Sequence, residues 1–234
     1  MGVVRPTLTF GELHVTSLTN SVFKQNCYVV VDSSTGSTLM IDPGMEEPFL
    51  VEYLETQKLK LDRILLTHGH FDHVGSAETI GKRFEVVGQI HASEERLVRQ
   101  ASIYAYRFAK VGLRSPRGLT FLPAEATTVT WGAWEVQVIP TPGHTSGSVC
   151  YAIDGKFVFT GDTLFHSHVG PTNYPESDKA ALRASISGLL AALPDECVIL
   201  PGHGRPWTIG EAKTWWAGLE GPAPDYFIFG DKTA

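Results

Sequence analysis

Thr67-His68-Gly69-His70-Phe71-Asp72-His73 is the stretch that decides how the rest of this chain is read. Three imidazoles and a carboxylate fall within six residues, directly after the apolar run Ile64-Leu65-Leu66. A short continuous apolar run of this kind predicts a strand buried on both faces. The motif therefore starts where that strand ends, on the sort of loop where a rigid sheet presents reactive side chains. Neutral imidazole and carboxylate together suit zinc, iron(II) or manganese.

The same pattern recurs downstream. His144 follows Thr141-Pro142-Gly143, Asp162 follows Phe159-Thr160-Gly161, and His203 follows Leu200-Pro201-Gly202. Each places a metal-type side chain after a predicted strand and directly behind a glycine, which lets the backbone bend sharply and approach closely. The set is five imidazoles (His68, His70, His73, His144, His203) and two carboxylates (Asp72, Asp162). Seven donors exceed the four that a tetrahedral zinc takes, and they match two metals sharing one carboxylate. His166, His168, Asn173 and Tyr174 lie just beyond Asp162 and are secondary candidates for substrate or proton-relay roles.

The surrounding chain is that of an ordinary globular protein. Its 234 residues, 43% hydrophobic and 19% charged, suit a single domain over 1–234 with a large core. The net charge of −6 argues mildly against a nucleic-acid partner, which usually calls for a basic face, and says nothing for or against a small-molecule substrate. No apolar run reaches membrane-spanning length and the N-terminus lacks a signal-peptide core, so a cytoplasmic protein without membrane contact is expected. The oligomeric state is left open, a homodimer being one arrangement. Cys27, Cys150 and Cys197 all sit in apolar strand-like runs and read as buried free thiols.

Patterning predicts strands at 27–31, 39–41, 64–67, 134–138 and 198–200, and a hairpin over 149–159 turning at Asp154-Gly155. Helices are predicted at 48–56, 72–84, 93–111 (capped by Ser93 and stopped by Gly112) and 178–193. The last thirty or so residues hold at most one short helix. Two sheets with helices outside fit this order.

His68-x-His70-x-Asp72-His73 followed by His144, Asp162 and His203 resembles the metallo-β-lactamase superfamily, and the likeness runs from Cys27 to His203. Asp42-Pro43-Gly44, after an early strand, matches a further feature of that family. The resemblance implies an α/β (α+β) fold, a four-layer αββα sandwich with a dinuclear metal site. It implies His68, His70 and His144 on one metal, Asp72, His73 and His203 on the other, and Asp162 between them. Asp42 would orient a ligand imidazole. Two divalent ions, zinc foremost with iron or manganese as substitutes, would then lower the pKa of a bridging water. The hydroxide so formed would hydrolyse a small thioester, ester or lactone, with Asp72 and Asp162 as the catalytic carboxylates.

Within the superfamily, His68 to His73, Pro142 to Thr145 and Gly161 to Phe165 resemble glyoxalase II-like (hydroxyacylglutathione hydrolase-like) thioesterases, here without the C-terminal glutathione-binding domain. Persulfide dioxygenases share the framework and imply instead a single iron on His68, His144 and Asp162. A non-catalytic metal-binding member is the remaining alternative. Both enzyme branches carry Gly-Arg-x-Asp-Phe where this chain has Gly170-Pro171-Thr172-Asn173-Tyr174.

Overall fold

β-branched and aromatic residues from Leu13 to Ile41 pair into an antiparallel meander that starts the first sheet. In the computed structural model, which describes residues 2–45, 47–219 and 221–225, the chain forms two units. Unit 1 comprises 1–124 with 131–133, and unit 2 comprises 125–130 with 134–234.

The strands of unit 1 are β1 (Val3–Val4), β2 (Leu8–Phe10), β3 (Leu13–Thr19), β4 (Asn26–Asp32), β5 (Ser37–Ile41), β6 (Lys60–Leu66), β7 (Gly88–His91) and β8 (Thr120–Leu122). They lie in the order β1-β3-β4-β5-β6-β7-β8, with β2 paired to β3. From β5 to β8 the pairing is parallel. Parallel neighbours need crossover connections, and helices supply them: α1 (Glu47–Thr56), then α2 (Phe71–Val74) and α3 (Ala77–Phe84), then α4 (Glu95–Tyr104). Ile64, Leu65 and Leu66 are completely buried, as a strand covered on both faces requires.

Two helices differ from the pattern reading. The single helix expected over 72–84 is broken into α2 and α3. The Ser76 amide donates to the Gly44 carbonyl (2.6 Å) and the Gly44 amide to the His73 carbonyl (3.0 Å), so the turn after β5 takes backbone groups at the break. The helix expected over 93–111 opens as a 3₁₀ turn at Ala92–Glu94 and closes as a π-turn at Ala105–Ala109. The His91 ring, not Ser93, caps it by accepting from the Ser93 amide, and Lys110 in the left-handed region ends it before Gly112.

Unit 2 holds β9 (Thr128–Trp131, whose last residue belongs to unit 1), β10 (Trp134–Pro140), β11 (Val149–Ile153), β12 (Phe157–Gly161), β13 (Leu164–Phe165), β14 (His168–Val169), β15 (Val198–Pro201) and β16 (Trp207–Thr208). Its main sheet runs β16-β15-β12-β11-β10-β9, and β13 and β14 form a separate hairpin. The β11–β12 hairpin turns through Asp154, Gly155 and Lys156, one residue more than the predicted two-residue turn, with Asp154 and Gly155 at positive φ. Helix α5 (Lys179–Ala192) makes the crossover from β12 to its parallel partner β15. Asp178 caps it by accepting from the Ala180 and Ala181 amides. Its stripe Leu182, Ile186, Leu189 and Leu190 packs with Cys150, Ala152, Val158 and Ile199, a burial on the order of 10 kcal/mol before entropy is counted. Helix α6 (Ile209–Ala217) closes the described part of the unit, held by a capping box between Thr208 and Glu211. No helix among the described residues is long and apolar enough to cross a membrane.

All three cysteines are buried and free. Burial raises the Cys27 thiol well above its ordinary range, and pushes the Cys150 and Cys197 thiols up to about 11. Two consequences follow for solution behaviour. The native protein shows no thiol reactive toward a disulfide reagent at pH 8, while the denatured chain shows three. Stability also falls with rising pH between 9 and about 11, because there the unfolded thiols ionise while the folded ones stay neutral. A native thiol titrating near pH 8 overturns both statements.

Candidate metal centre

In unit 1, β6 ends at Leu66 and Thr67 to His70 lead into the single turn of α2. This brings His68, His70, Asp72 and His73 together, all buried. The His68 ring lies 4.2 Å from that of His73 and 4.9 Å from that of His70, centroid to centroid. The loop can be this tight because Gly69 has no side chain. A Cβ there would meet the Glu94 carboxylate, the Leu97 Cβ and the Val98 amide, all at 3.1–3.2 Å. Glu94 in turn accepts the Gly69 amide at 2.7 Å.

Asp42 sits at the carboxyl end of β5, beside the end of β6, with left-handed backbone (φ 48°). Gln25 donates to its main-chain carbonyl at 3.0 Å. Its carboxylate accepts the Thr67 amide (2.8 Å), the Thr67 hydroxyl (2.6 Å) and His73 Nδ1 (2.9 Å). Because the Thr67 hydroxyl gives its proton to Asp42, its oxygen accepts from His68 Nδ1, 3.0 Å away. One carboxylate thus sets two imidazoles in the same tautomer, with Nδ1 protonated and Nε2 carrying the lone pair. Asp42 also lies within 4.8 Å of His68 and His73 as a possible ligand group. Its hydrogen bonds to Thr67 and His73 instead make it the support that metal-ligating imidazoles ordinarily have.

In unit 2 the three expected strand ends deliver His144 after β10, Asp162 after β12 and His203 after β15. His144 Nδ1 donates to the Pro171 carbonyl at 2.9 Å, leaving Nε2 as its lone-pair nitrogen. That Nε2 stands 3.5 Å from Asp162 Oδ2, and His203 Nε2 stands 3.7 Å from Asp162 Oδ1. Two lone-pair atoms at such a distance repel unless a cation lies between them. Ligands around 2.1 Å from a tetrahedral zinc are themselves about 3.4 Å apart. The donor set therefore fits a metal, and Asp162 offers a different oxygen to each of two imidazoles.

Two glycines make this arrangement possible. At Gly143 (φ 142°) a Cβ would fall 2.2 Å from the Leu182 amide in the first turn of α5, and at Gly170 one would fall 1.8 Å from the Asp162 carbonyl. Of the secondary candidates, Tyr174 sets its ring edge-to-face with His144 at 6.0 Å. His166 packs on Trp207 at 5.0 Å, and burial, then Arg205, lowers its pKa. His168 Nδ1 donates to the His166 carbonyl within the β13–β14 hairpin. Asn173 is exposed. Pattern reading missed Thr67 and Glu94. A threonine next to the motif carries no signal of its own, and Glu94 looks like an ordinary residue for the start of a helix.

A sequence model described as "Metallo-beta-lactamase superfamily" matches residues 20–203. The chain belongs to this superfamily. It is 35% identical over 202 residues to the hydroxyacylglutathione hydrolase GloC of Haemophilus influenzae, spanning 82% of this chain and 92% of that protein. Among solved structures it is similar to the BLEG-1 B3 metallo-beta-lactamase (TM-score 0.80, 28% identity, 85% of this chain and 95% of that one). It is also similar to TTHA1623 in a di-iron-bound form (TM-score 0.76, 33% identity, 84% of this chain and 96% of that one). The protein thus has the mixed α/β fold of a metallo-hydrolase superfamily, with a His/Asp cluster suited to divalent metal.

The support carboxylate yields a direct expectation. Asp42→Ala lowers metal affinity about 10- to 100-fold, the usual cost of losing such a partner. Competition with a chromophoric chelator measures it, and unchanged affinity refutes the role given to Asp42.

Proposed function

We propose that residues 1–234 act as one catalytic domain, a dinuclear metal-dependent hydrolase of small thioesters, esters or lactones. The observation that carries this is the posture of Asp162, with one oxygen toward His144 and the other toward His203. In this reading His68, His70 and His144 would hold one metal, Asp72, His73 and His203 would hold the other, and Asp162 would serve both. Bound divalent ions, zinc, iron or manganese, supply Lewis acidity and bring the pKa of a shared water toward neutrality.

The chain's own residues do the rest. Asp42, through Thr67 for His68 and directly for His73, and the Pro171 carbonyl for His144 take the Nδ1 protons, leaving each Nε2 as the ligand atom. Asp72, buried at the start of α2, orients the attacking water and takes its proton. No cysteine serves as nucleophile, since all three are buried thiols held neutral. The name of the Haemophilus relative and the Pro142 to Thr145 and Gly161 to Phe165 segments favour a glyoxalase II-like thioesterase.

Metal analysis with a substrate panel tests the reading. Two metals per chain are expected, with hydrolysis of S-hydroxyacylglutathione or a related thioester, ester or lactone. A single iron with oxygen consumption on glutathione persulfide would overturn it in favour of a dioxygenase. Hydrolysis that survives complete metal removal would overturn it outright.

A further inference from the structure

From residue 96 to residue 124 this acidic chain carries six cations (Arg96, Arg99, Arg107, Lys110, Arg114 and Arg117) and no acidic residue. The metal centre uses none of them. Arg99, Arg114 and Arg117 converge on a recess of about 760 Å³ between α4 and the segment leading to β8. A wall of Leu113, Leu119 and Phe121 completes it. Phe121 is 39% exposed.

The recess is held by its own hydrogen bonds. The Ser115 hydroxyl accepts the Ser102 amide (2.9 Å) and donates to the Arg99 carbonyl (3.1 Å), pinning the loop to α4. The Arg117 amide donates to Glu78 at 2.9 Å. Arg99 is ion-paired with Glu95. Among the described residues, the guanidiniums of Arg114 and Arg117 make no ion pair; Glu78, the acid whose field reaches Arg114, is already hydrogen-bonded to Lys82. The recess shares no residue with the metal motif, although Val98 in its lining also packs against Gly69. Arg99 and Tyr104, whose ring is 6.1 Å from His70, are roughly 140° apart around α4.

We propose that this recess is a second binding site, for a nucleoside diphosphate or the equivalent part of a larger molecule. Guanidinium forks match phosphate oxygens bidentately, and three arginines against the one lining carboxylate, Glu95, leave an excess of two positive charges for an anion to meet. Leu113, Leu119 and Phe121 offer an apolar face on which a flat ring can lie. The inference stands independently of the metal-centre reading.

ADP is the probe, used with the full chain in equilibrium dialysis at low ionic strength. Saturable binding is expected, weakening as salt is raised. The Arg114→Gln/Arg117→Gln double variant should bind about tenfold or more weakly, and adenosine should bind far more weakly than ADP. Arg83→Gln, which does not line the recess and is paired with Glu55, should bind as wild type. Binding should persist in His68→Ala, which separates the recess from phosphate taken up by a metal. Absence of saturable ADP binding overturns the proposal, as does wild-type affinity in the double variant or loss of binding in a folded His68→Ala protein.

Discussion

If the centre is the dinuclear one proposed above, His68→Ala is expected to cut bound metal from two per chain to one or none and to lower hydrolysis by a factor on the order of 10³ or more. His68 is completely positioned by its neighbours. Thr67 accepts its Nδ1 proton, Asp42 holds Thr67, and the ring packs between His70 and His73. Alanine removes a ligand from a site whose other groups were placed around it, so no nearby side chain replaces it. Elemental analysis of the purified variant, paired with turnover on the best substrate of the panel, gives both numbers. The circular dichroism melt of the metal-free form should stay close to that of metal-free wild type, because an imidazole without its metal adds little to the core. A variant with two metals and wild-type turnover would remove His68 from the centre.

Gly170→Ala is expected to be among the most damaging small substitutions in unit 2. Its Cβ would lie 1.8 Å from the Asp162 carbonyl oxygen and 3.2 Å from His144 Nδ1, and both neighbours belong to the ligand set. Backbone cannot give way as a flexible side-chain end can, so either the 162–170 segment shifts or the unit fails to pack. A loss of about 3 kcal/mol or more is expected. Any protein that folds should bind metal poorly, because Asp162 moves with the backbone. Denaturant unfolding and metal stoichiometry measure the two effects separately. Wild-type stability with a full metal complement would show that the close approach to Asp162 is not required.

The sequence by itself determined which candidate donors the chain carries and that they stand at strand ends. Motif spacing and apolar runs are local properties, and local periodicity carries them: Ile64-Leu65-Leu66 leads into His68, and α5 and the turn at Asp154-Gly155 lie where their patterns put them. The superfamily was legible for the same reason, since its donors lie in short segments with glycine before them. Only the tertiary structure decided what supports those donors. Asp42 reaches Thr67 across 25 residues and His73 across 31, and Glu94 reaches Gly69 across 25. It also decided the break between α2 and α3, which hydrogen bonds from the Gly44 turn impose, and the His91 cap of the next helix. Gly170 looks like a loop glycine until the fold sets it against Asp162. Hydrogen bonds and steric contacts between distant residues leave no periodic trace in the chain, so folding alone brings them together. The stretch from Thr67 to His73 names its chemistry; Asp42 and Glu94, brought in from elsewhere, hold its side chains and backbone in place.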